Sequence, residues 1–192
     1  MIPPEAPDPS VTSTPVAATP AVPADAPRRY AHPLELGTMA IVVAADQLSK
    51  AMVQRSLALG ESRSIIPDFL DLTHVHNSGV AFGLLNTSDF QYKPLVMIGI
   101  AAVALLAIAA YATQLGFHER LARLGLAFII GGAFGNLIDR AVSGYVVDFV
   151  DVYWGSTHFW AFNVADAAIT TGAILVLLDM IGVGRRHASH TV

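Results

Sequence analysis

A run of 24 residues without a single charge, Pro94 to Phe117, constrains this chain more than any other feature. It consists mainly of Ala, Ile, Leu and Val, and as a helix with a rise of ~1.5 Å per residue it could cross a hydrocarbon core ~30 Å thick. Only 14% of the 192 residues are charged, whereas a soluble domain is typically about 25% charged. The sequence therefore predicts an integral membrane protein.

Three other hydrophobic stretches are long enough to be membrane helices, although each contains polar residues. They cover about residues 36–57, 121–140 and 159–181. Between the first stretch and the uncharged run, the segment 58–93 is interrupted by Pro, Asp, Asn and Gly and has short β-like pieces. We therefore expect an all-α membrane bundle of four transmembrane helices, with a small β-structure lying on the membrane surface.

The two ends of the chain differ in composition from this membrane core. Residues 1–33 contain nine of the eleven prolines, which favours a disordered, partly extended Pro/Ala-rich tail. Residues 34–184 would then form the transmembrane domain, and residues 185–192 a short basic C-terminus. No basic cluster indicates a nucleic-acid partner.

The distribution of basic residues predicts how the bundle is oriented. With both termini inside, the arginines that flank the spans on the cytoplasmic side are Arg28, Arg29, Arg120, Arg123, Arg185 and Arg186. The basic residues on the other side, or within the outer part of the spans, are Lys50, Arg55, Arg63, Lys93 and Arg140. The positive-inside rule favours the first set as cytoplasmic. We therefore expect both termini in the cytoplasm.

Two acidic residues lie in apolar surroundings at the ends of one short stretch. Asp148 stands in Val-Val-Asp-Phe and Asp166 in Phe-Asn-Val-Ala-Asp. A carboxylate in a low-dielectric medium costs several kcal/mol, so residues of this kind are usually functional. A short loop between them could bring the two together. In the predicted orientation both lie near the outer membrane boundary, where water can reach them.

The residues present exclude several hydrolytic chemistries. The chain has no Cys and no Gly-x-Ser-x-Gly elbow, and Ser49 and Lys50 are helix neighbours that point apart. His118-Glu119 lacks the second His of a zinc helix. His74 and His76 have no third ligand nearby, so we expect exposed strand histidines rather than a metal site. Two carboxylates that share a proton can instead activate water directly, without a metal or cofactor.

From the residues alone, other interpretations stay open. Asp148 could be an interfacial loop acid and Asp166 a helix–helix hydrogen-bonding group. Asp151 is a rival for the role of Asp148, although in an extended segment the two would point to opposite faces. A small transporter or proton-coupled carrier is the main alternative function, but the uncharged run has no acid and no internal repeat is visible. A structural scaffold would not need polar groups converging from two spans.

Five short sequence blocks occur in order between residues 36 and 182. They are Asp46-Gln47-x-x-Lys50, Asn77-Ser78-Gly79-Val80-Ala81-Phe82, Gly132-x-x-x-Asn136-x-x-Asp139-Arg140, Val147-Asp148-Phe149 and Phe162-Asn163-x-Ala165-Asp166. Together they resemble the lipoprotein signal peptidase (signal peptidase II) family. The resemblance implies a bacterial inner-membrane aspartyl protease with four transmembrane helices and a small extracellular β-cradle. Such an enzyme removes prolipoprotein signal peptides just before a diacylglyceryl-modified cysteine and is inhibited by globomycin.

The resemblance also implies a role for each matching residue. Asp148 and Asp166 match the catalytic pair. The positions matching the substrate and inhibitor pocket are Asn77, Asn136, Arg140 and Asn163. The supporting positions are Asp46, Lys50, Gly132 and Asp139. The implied partners are diacylglyceryl-modified prolipoproteins and membrane lipid, and we expect a monomer that uses no cofactor or metal.

Overall fold

The structure, a computed structural model, describes residues 33–79, 92–116 and 119–182. Within these ranges the chain forms four helices and four strands. In chain order they are α1 (Pro33–Ser56), β1 (Ser62–Ile66), β2 (Leu70–Asn77), α2 (Lys93–Ala112), α3 (Arg120–Ser143), β3 (Val146–Trp154), β4 (Thr157–His158) and α4 (Val164–Met180). The predicted tail up to residue 32, the basic C-terminus and residues 80–91 of the predicted β-like segment lie outside the described residues.

Three of the described helices, α1, α2 and α3, are long and apolar enough to cross a membrane. The most apolar is α2, with a mean hydropathy of 2.6, and nearly all of it faces outward. Its Val103 and Leu106 are about 70% exposed, as expected for side chains that contact lipid rather than a protein core. The prediction of a helical membrane bundle with a small sheet is confirmed at this level.

The fourth helix begins later than the sequence predicted. The apolar run suggested a span from about Phe159, but α4 starts at Val164 because Asn163 caps it. The Asn163 side chain accepts the Asp166 N–H, and the Asp166 side chain accepts the Asn163 N–H in return, which is the reciprocal geometry of a capping box. Phe159 instead donates its backbone N–H to Val152 of β3 at 2.7 Å. Phe159 and Phe162 therefore bond to β3 instead of forming the first turns of a helix.

The other helices also differ at their ends from the predicted spans. Helix α1 starts at Pro33, the residue at which the predicted tail ended, and α2 ends at Ala112 because Gln114 already turns back to Tyr111 (2.9 Å). Helix α3 continues past residue 140 to Ser143. Gly144 terminates it in the left-handed conformation (φ 81°), which glycine adopts without a steric penalty.

The four strands form one antiparallel sheet in the order β1-β2-β3-β4. The sequence predicted strands only within residues 58–93, whereas β3 is a nine-residue strand from the chain after α3. It pairs with β2 so that Asn77 lies opposite Val146 and Val75 opposite Asp148. The sheet packs on the C-terminal end of α1 through Val53, Leu57 and Phe149. This pairing brings Asn77 beside the predicted catalytic Asp148.

Glycines let α3 approach its neighbours at backbone distance. A Cβ added at Gly132 would collide with the carbonyl oxygen of Ala165 in α4 and come within 2.9 Å of Ile169 Cγ1. A Cβ at Gly135 would lie 2.6 Å from Oδ2 of Asp46 in α1. Side chains in these positions would push the helices apart. The glycines of α3 therefore set how closely α1 and α4 approach the polar residues between them.

Candidate active site

Asp148 lies on β3 and is only 2% exposed. Its two carboxylate oxygens accept separate side-chain hydrogen bonds: Oδ1 from Asn163 Nδ2 at 2.7 Å, and Oδ2 from Asn77 Nδ2 at 2.9 Å. Burial raises the pKa of Asp148 to about 6, and the hydrogen bond from Asn77 only partly offsets this. The charge of Asp166 adds to the rise. The side chain therefore holds a proton to a higher pH than an ordinary aspartate.

Asp166 occupies the third position of α4, where the capping box directs its carboxylate back towards Asn163. Asn136 Nδ2 of α3 donates to Asp166 Oδ1 at 2.8 Å, and the Asn163 N–H faces Oδ2 at 3.4 Å. Asn163 is thus a neighbour of both acids, because its side chain also donates to Asp148. The fold therefore brings together the two acids singled out in the sequence and links them through one residue.

Two of the three asparagines around these acids are oriented by backbone N–H groups. Asn77 Oδ1 accepts the Gly79 N–H at 3.0 Å, and Asn163 Oδ1 accepts the Asp166 N–H at 3.0 Å. Since a backbone N–H can only donate, the oxygen of each amide must face it. The NH₂ groups are left to point at Asp148, to which both of them donate.

A buried ion cluster lies beside the acids. The Lys50 ammonium is 2.7 Å from Asp46 Oδ2 and 2.9 Å from Asp139 Oδ2. Each of these carboxylates also accepts a backbone N–H: Asp46 that of Ala165 at 2.9 Å, and Asp139 that of Val147 at 3.3 Å. The cluster therefore ties α1 and α3 to the starts of the two elements that carry the acids, β3 and α4.

Gln47 belongs to this cluster, although no role was predicted for it from the sequence. Its Nε2 donates to Asp139 Oδ1 at 2.8 Å and lies 3.2 Å from both the Gly135 carbonyl and Asp46 Oδ2. The available signal was its place inside a membrane span, in the same block as Asp46 and Lys50. An uncharged polar side chain in such a place requires hydrogen-bond partners.

Arg140 lies near the end of α3, and its guanidinium group donates to backbone carbonyl oxygens rather than to a carboxylate. Its Nη2 donates to the Gly79 carbonyl at 3.1 Å, and its Nη1 to the Asn136 carbonyl at 3.3 Å. It is still close enough to interact electrostatically with Asp148 and Asp166. Arg140 therefore anchors the chain that leaves β2 next to the two acids and keeps a positive charge in their vicinity.

Asp151 lies apart from Asp148 although both are on β3. Its Oδ2 contacts His158 Nδ1 at 2.9 Å, and its neighbour across the sheet is Asp71. The bonds to Asn77 and Asn163 are made by Asp148. Asp148, and not Asp151, thus shares the polar neighbourhood of Asp166.

The two strand histidines differ from the sequence-based expectation of exposed residues. His74 is 6% exposed, and its Nδ1 lies 3.0 Å from the carbonyl oxygen of Leu57. His76 is partly buried and stacks on Tyr145 with ring centroids 3.6 Å apart. Burial and the neighbouring His74 lower the pKa of His76. In the described part of the chain no group of three or more His, Asp or Glu side chains is arranged to hold a metal.

The supporting residues predicted from the sequence fall into two groups. Asp46, Lys50 and Asp139 form the ion cluster beside the acids. Gly132 has no side chain to add to this cluster and instead allows α4 to pack against α3 at Ala165, the residue before Asp166. The predicted site residues therefore converge on one region, with Gly132 contributing through packing.

Comparison with known proteins identifies relatives that match most of this chain. A family model described as signal peptidase (SPase) II matches residues 38–182. A lipoprotein signal peptidase of Geobacter metallireducens is 43% identical over 149 residues, which cover 78% of this chain and 91% of that protein. A lipoprotein signal peptidase of Solibacter usitatus is 37% identical over 153 residues, 80% of this chain and 93% of that protein.

A solved structure of a bacterial membrane enzyme, determined by the in meso method at 2.3 Å resolution, has a similar fold. It aligns with a TM-score of 0.69 and 28% sequence identity, covering 82% of this chain and 93% of that one. The family match spans most of the chain, including both acids and all three asparagines. The chain therefore belongs to the signal peptidase II family of membrane proteases.

Proposed function

We propose that this protein is an aspartyl endopeptidase that removes the signal peptides of prolipoproteins. It would cut the peptide bond just before the diacylglyceryl-modified cysteine. The relatives named above are lipoprotein signal peptidases, which supports the substrate class. The observation that carries the chemistry is the shared Asn163, which donates to Asp148 through its side chain and faces Asp166 through its backbone N–H.

The two acids would work with one proton between them. Two adjacent carboxylates rarely ionise together, because each charge opposes the other. Asp148, whose pKa is raised to about 6, is the proposed acid. Asp166 is the proposed base, because it lies in the first turn of α4, where the helix dipole stabilises a negative charge.

The proposed reaction is direct attack by water. Asp166 takes a proton from the water molecule as the water oxygen bonds to the scissile carbonyl carbon. In the same step Asp148 gives its proton to the carbonyl oxygen. Asp166 then gives its proton to the leaving nitrogen as the C–N bond breaks. Asp148 regains a proton from the remaining hydroxyl. The products are the carboxylate end of the signal peptide and the free amine of the lipid-modified cysteine.

The residues around the acids would bind the peptide. Asn77, Asn136, Arg140 and Asn163 are the proposed lining of the substrate pocket, which globomycin would also occupy. Arg140 is the best placed to stabilise negative charge on the carbonyl oxygen, since it lies near both acids without forming an ion pair with them within the described residues. The protein would act as a monomer, without a cofactor.

The proposed location is the bacterial inner membrane, with four spans, α4 being the fourth, and both termini in the cytoplasm. The sheet and both acids lie at the end of the bundle where α1 and α3 finish. At the other end, Arg123 near the start of α3 pairs with Glu35 near the start of α1 at 2.6 Å. The positive-inside rule favours that end as cytoplasmic. The catalytic end, with its sheet, would then face outward, at the depth of a diacylglyceryl group in the outer leaflet.

Cleavage by the purified protein of a lipid-modified prolipoprotein and its unmodified counterpart tests this function. We expect the lipid-modified substrate to be cut just before its cysteine, as shown by the mass of the product, and the unmodified one to be cut far more slowly. Equal cleavage of both would contradict the proposed specificity. Ion or solute flux in liposomes without proteolysis would instead support the carrier alternative.

A further inference from the structure

The ammonium group of Lys50 lies next to the two proposed catalytic acids but bonds to neither. It is 3% exposed and has three acceptors: Asp46 Oδ2 at 2.7 Å, Asp139 Oδ2 at 2.9 Å and Asn136 Oδ1 at 2.9 Å. An ammonium group has three N–H donors and no acceptor. Each donor of Lys50 therefore has one partner, and one of those partners is an amide rather than a carboxylate.

Two donors face the side-chain oxygen of Asn136 and set which way its amide points: Lys50 Nζ at 2.9 Å and Asn163 Nδ2 at 3.2 Å. Because Lys50 can only donate, the atom of Asn136 that faces it must be the carbonyl oxygen. The NH₂ group then points to Asp166, with Nδ2 2.8 Å from Oδ1. In the reverse orientation, NH₂ would face the ammonium group and the amide oxygen would face the carboxylate. Both of these contacts are unfavourable.

The position of Asn136 in the fold means that its amide must be oriented by another side chain rather than by a backbone N–H group. The oxygens of Asn77 and Asn163 are held by backbone N–H groups at a strand end and a helix start. Asn136 lies inside α3 (Arg120–Ser143), where backbone N–H groups are already used in the helix. Side chains supply the missing donor instead. Lys50 of α1 makes the shorter contact, whereas Asn163 Nδ2 also serves Asp148 Oδ1 and the Val147 carbonyl.

We propose that Lys50 is a positioning residue that orients the Asn136 amide and thereby maintains the hydrogen bond to Asp166. This inference rests on the proposed function of Asp166 as the base. Without Lys50 the Asn136 oxygen loses its shorter contact and is held less firmly, by Asn163 Nδ2 at 3.2 Å. A reversed amide would turn its oxygen towards Asp166 and favour the protonated acid, which cannot accept a proton from water. Lys50 itself is buried, so its loss should lower kcat and leave KM nearly unchanged.

The test must remove Lys50 without leaving unpaired charges in the bundle. Lys50→Met alone would leave the carboxylates of Asp46 and Asp139 without the ammonium group that pairs with them. We therefore combine it with Asp46→Asn and Asp139→Asn. Amide oxygens at these two positions can still accept the N–H groups of Ala165 and Val147. We expect this triple variant to fold, with kcat about 10- to 100-fold lower and KM within about twofold of wild type on lipid-modified prolipoprotein.

A double-mutant cycle separates positioning from general support. If Lys50 acts through Asn136, adding the three substitutions to Asn136→Ala should lower kcat no further, since coupled residues are not additive. The matched control neutralises the partly buried Glu35–Arg123 ion pair, which lies at the opposite end of α1 and α3. Glu35→Gln with Arg123→Met should leave kcat unchanged. A triple variant with wild-type kcat, a rise in KM alone, or additive losses in the cycle would each overturn the inference.

Lys50→Arg keeps the experiment decisive if thermal unfolding shows that the triple variant does not fold. Arginine retains the charge and a donor-only head group, so kcat should stay within about tenfold of wild type. A folded Lys50→Arg protein as slow as Asn136→Ala would overturn the inference. A wild-type protein that does not cleave the substrate would refute the proposed function as well, whereas a triple variant with wild-type kcat would refute this inference alone.

Discussion

Two pairs of carboxylates lie side by side in this protein, each with one buried and one partly buried member, and they are held by different groups. Asp46 and Asp139 share the Lys50 ammonium, at 2.7 and 2.9 Å. Asp148 and Asp166, the amide-held pair, instead accept hydrogen bonds from the side-chain amides of three asparagines. Among the described residues, no Lys or Arg forms an ion pair with either member of the second pair.

The difference separates a structural task from a chemical one. A cation between two carboxylates compensates their charge and fixes the elements that carry them. Neutral amides orient a carboxylate without supplying a full positive charge, so burial can keep a proton on it. The raised pKa of Asp148 is the expected consequence. The ion cluster is therefore expected to maintain the fold, and the amide-held pair to carry the reaction.

The largest effect is expected at the amide-held pair. Asp148→Asn or Asp166→Asn removes a group that must both accept and release a proton, so we expect cleavage of lipid-modified prolipoprotein to fall by about 10³-fold or more. The matched control is Asp151→Asn on the same strand, which should keep a rate within about threefold of wild type. Full activity in either of the first two variants would exclude that acid from catalysis.

A substitution in the ion cluster is expected to lower the stability of the folded protein. Asp46→Ala leaves the Ala165 N–H without its acceptor and Lys50 with one carboxylate fewer. Breaking a buried ion pair on one side costs about 3–5 kcal/mol, so thermal unfolding in detergent should shift to a clearly lower temperature. Ser49→Ala is the control on the same helix, since within the described part of the chain its hydroxyl bonds only to the Asp46 carbonyl one turn earlier. Equal unfolding temperatures for both variants would remove the distinction between the pairs.

The pH dependence should reflect the amide-held pair. An ordinary aspartate titrates near 3.8, whereas the pKa of Asp148 is raised to about 6. The folded protein thus keeps a proton on this pair to higher pH, and both the stability from that proton and the singly protonated active state are lost as the pH rises through this value. The two acids titrate as a unit, so the pH profile should reflect a pKa of the pair at pH 6 or higher. Above that pKa, kcat/KM should fall about tenfold per pH unit.

A series from pH 5 to 9 with lipid-modified prolipoprotein measures this fall. Thermal unfolding across the same range is the control for loss of folded protein. A kcat/KM that keeps rising to pH 9 would show that the reaction needs no proton on the pair.

A smaller effect is expected from the packing that brings α4 to both pairs. A Cβ at Gly132 would collide with the Ala165 backbone, so Gly132→Ala should cost about 1–3 kcal/mol of stability and lower kcat by displacing Asp166. In Gly99→Ala on α2 the new methyl group meets, among the described residues and apart from the backbone of its own helix, no atom within 4 Å. It should therefore change neither quantity appreciably. Similar results for the two variants would show that close α3–α4 packing is not needed.

Local sequence determined the class of the protein and the identity of its unusual acids. Membrane helices follow from the length and composition of single segments, and Asp148 and Asp166 stand out because each lies in an apolar stretch. The separation of Asp148 from Asp151 also follows locally, because residues three apart on a strand face opposite sides. These properties depend on neighbouring residues, so no knowledge of the fold was needed to predict them.

Tertiary structure alone decided how those acids are held. β3 is a strand because β2, more than sixty residues earlier, pairs with it, and His74 is buried because that sheet packs on α1. The contact of Lys50 with Asp46 lies within one helix, four residues apart, and local spacing is enough to suggest it. Its bonds to Asp139 and Asn136 join helices distant in sequence. Hydrogen-bond direction depends on which donor-only group the fold brings to each amide, and no local pattern contains that information.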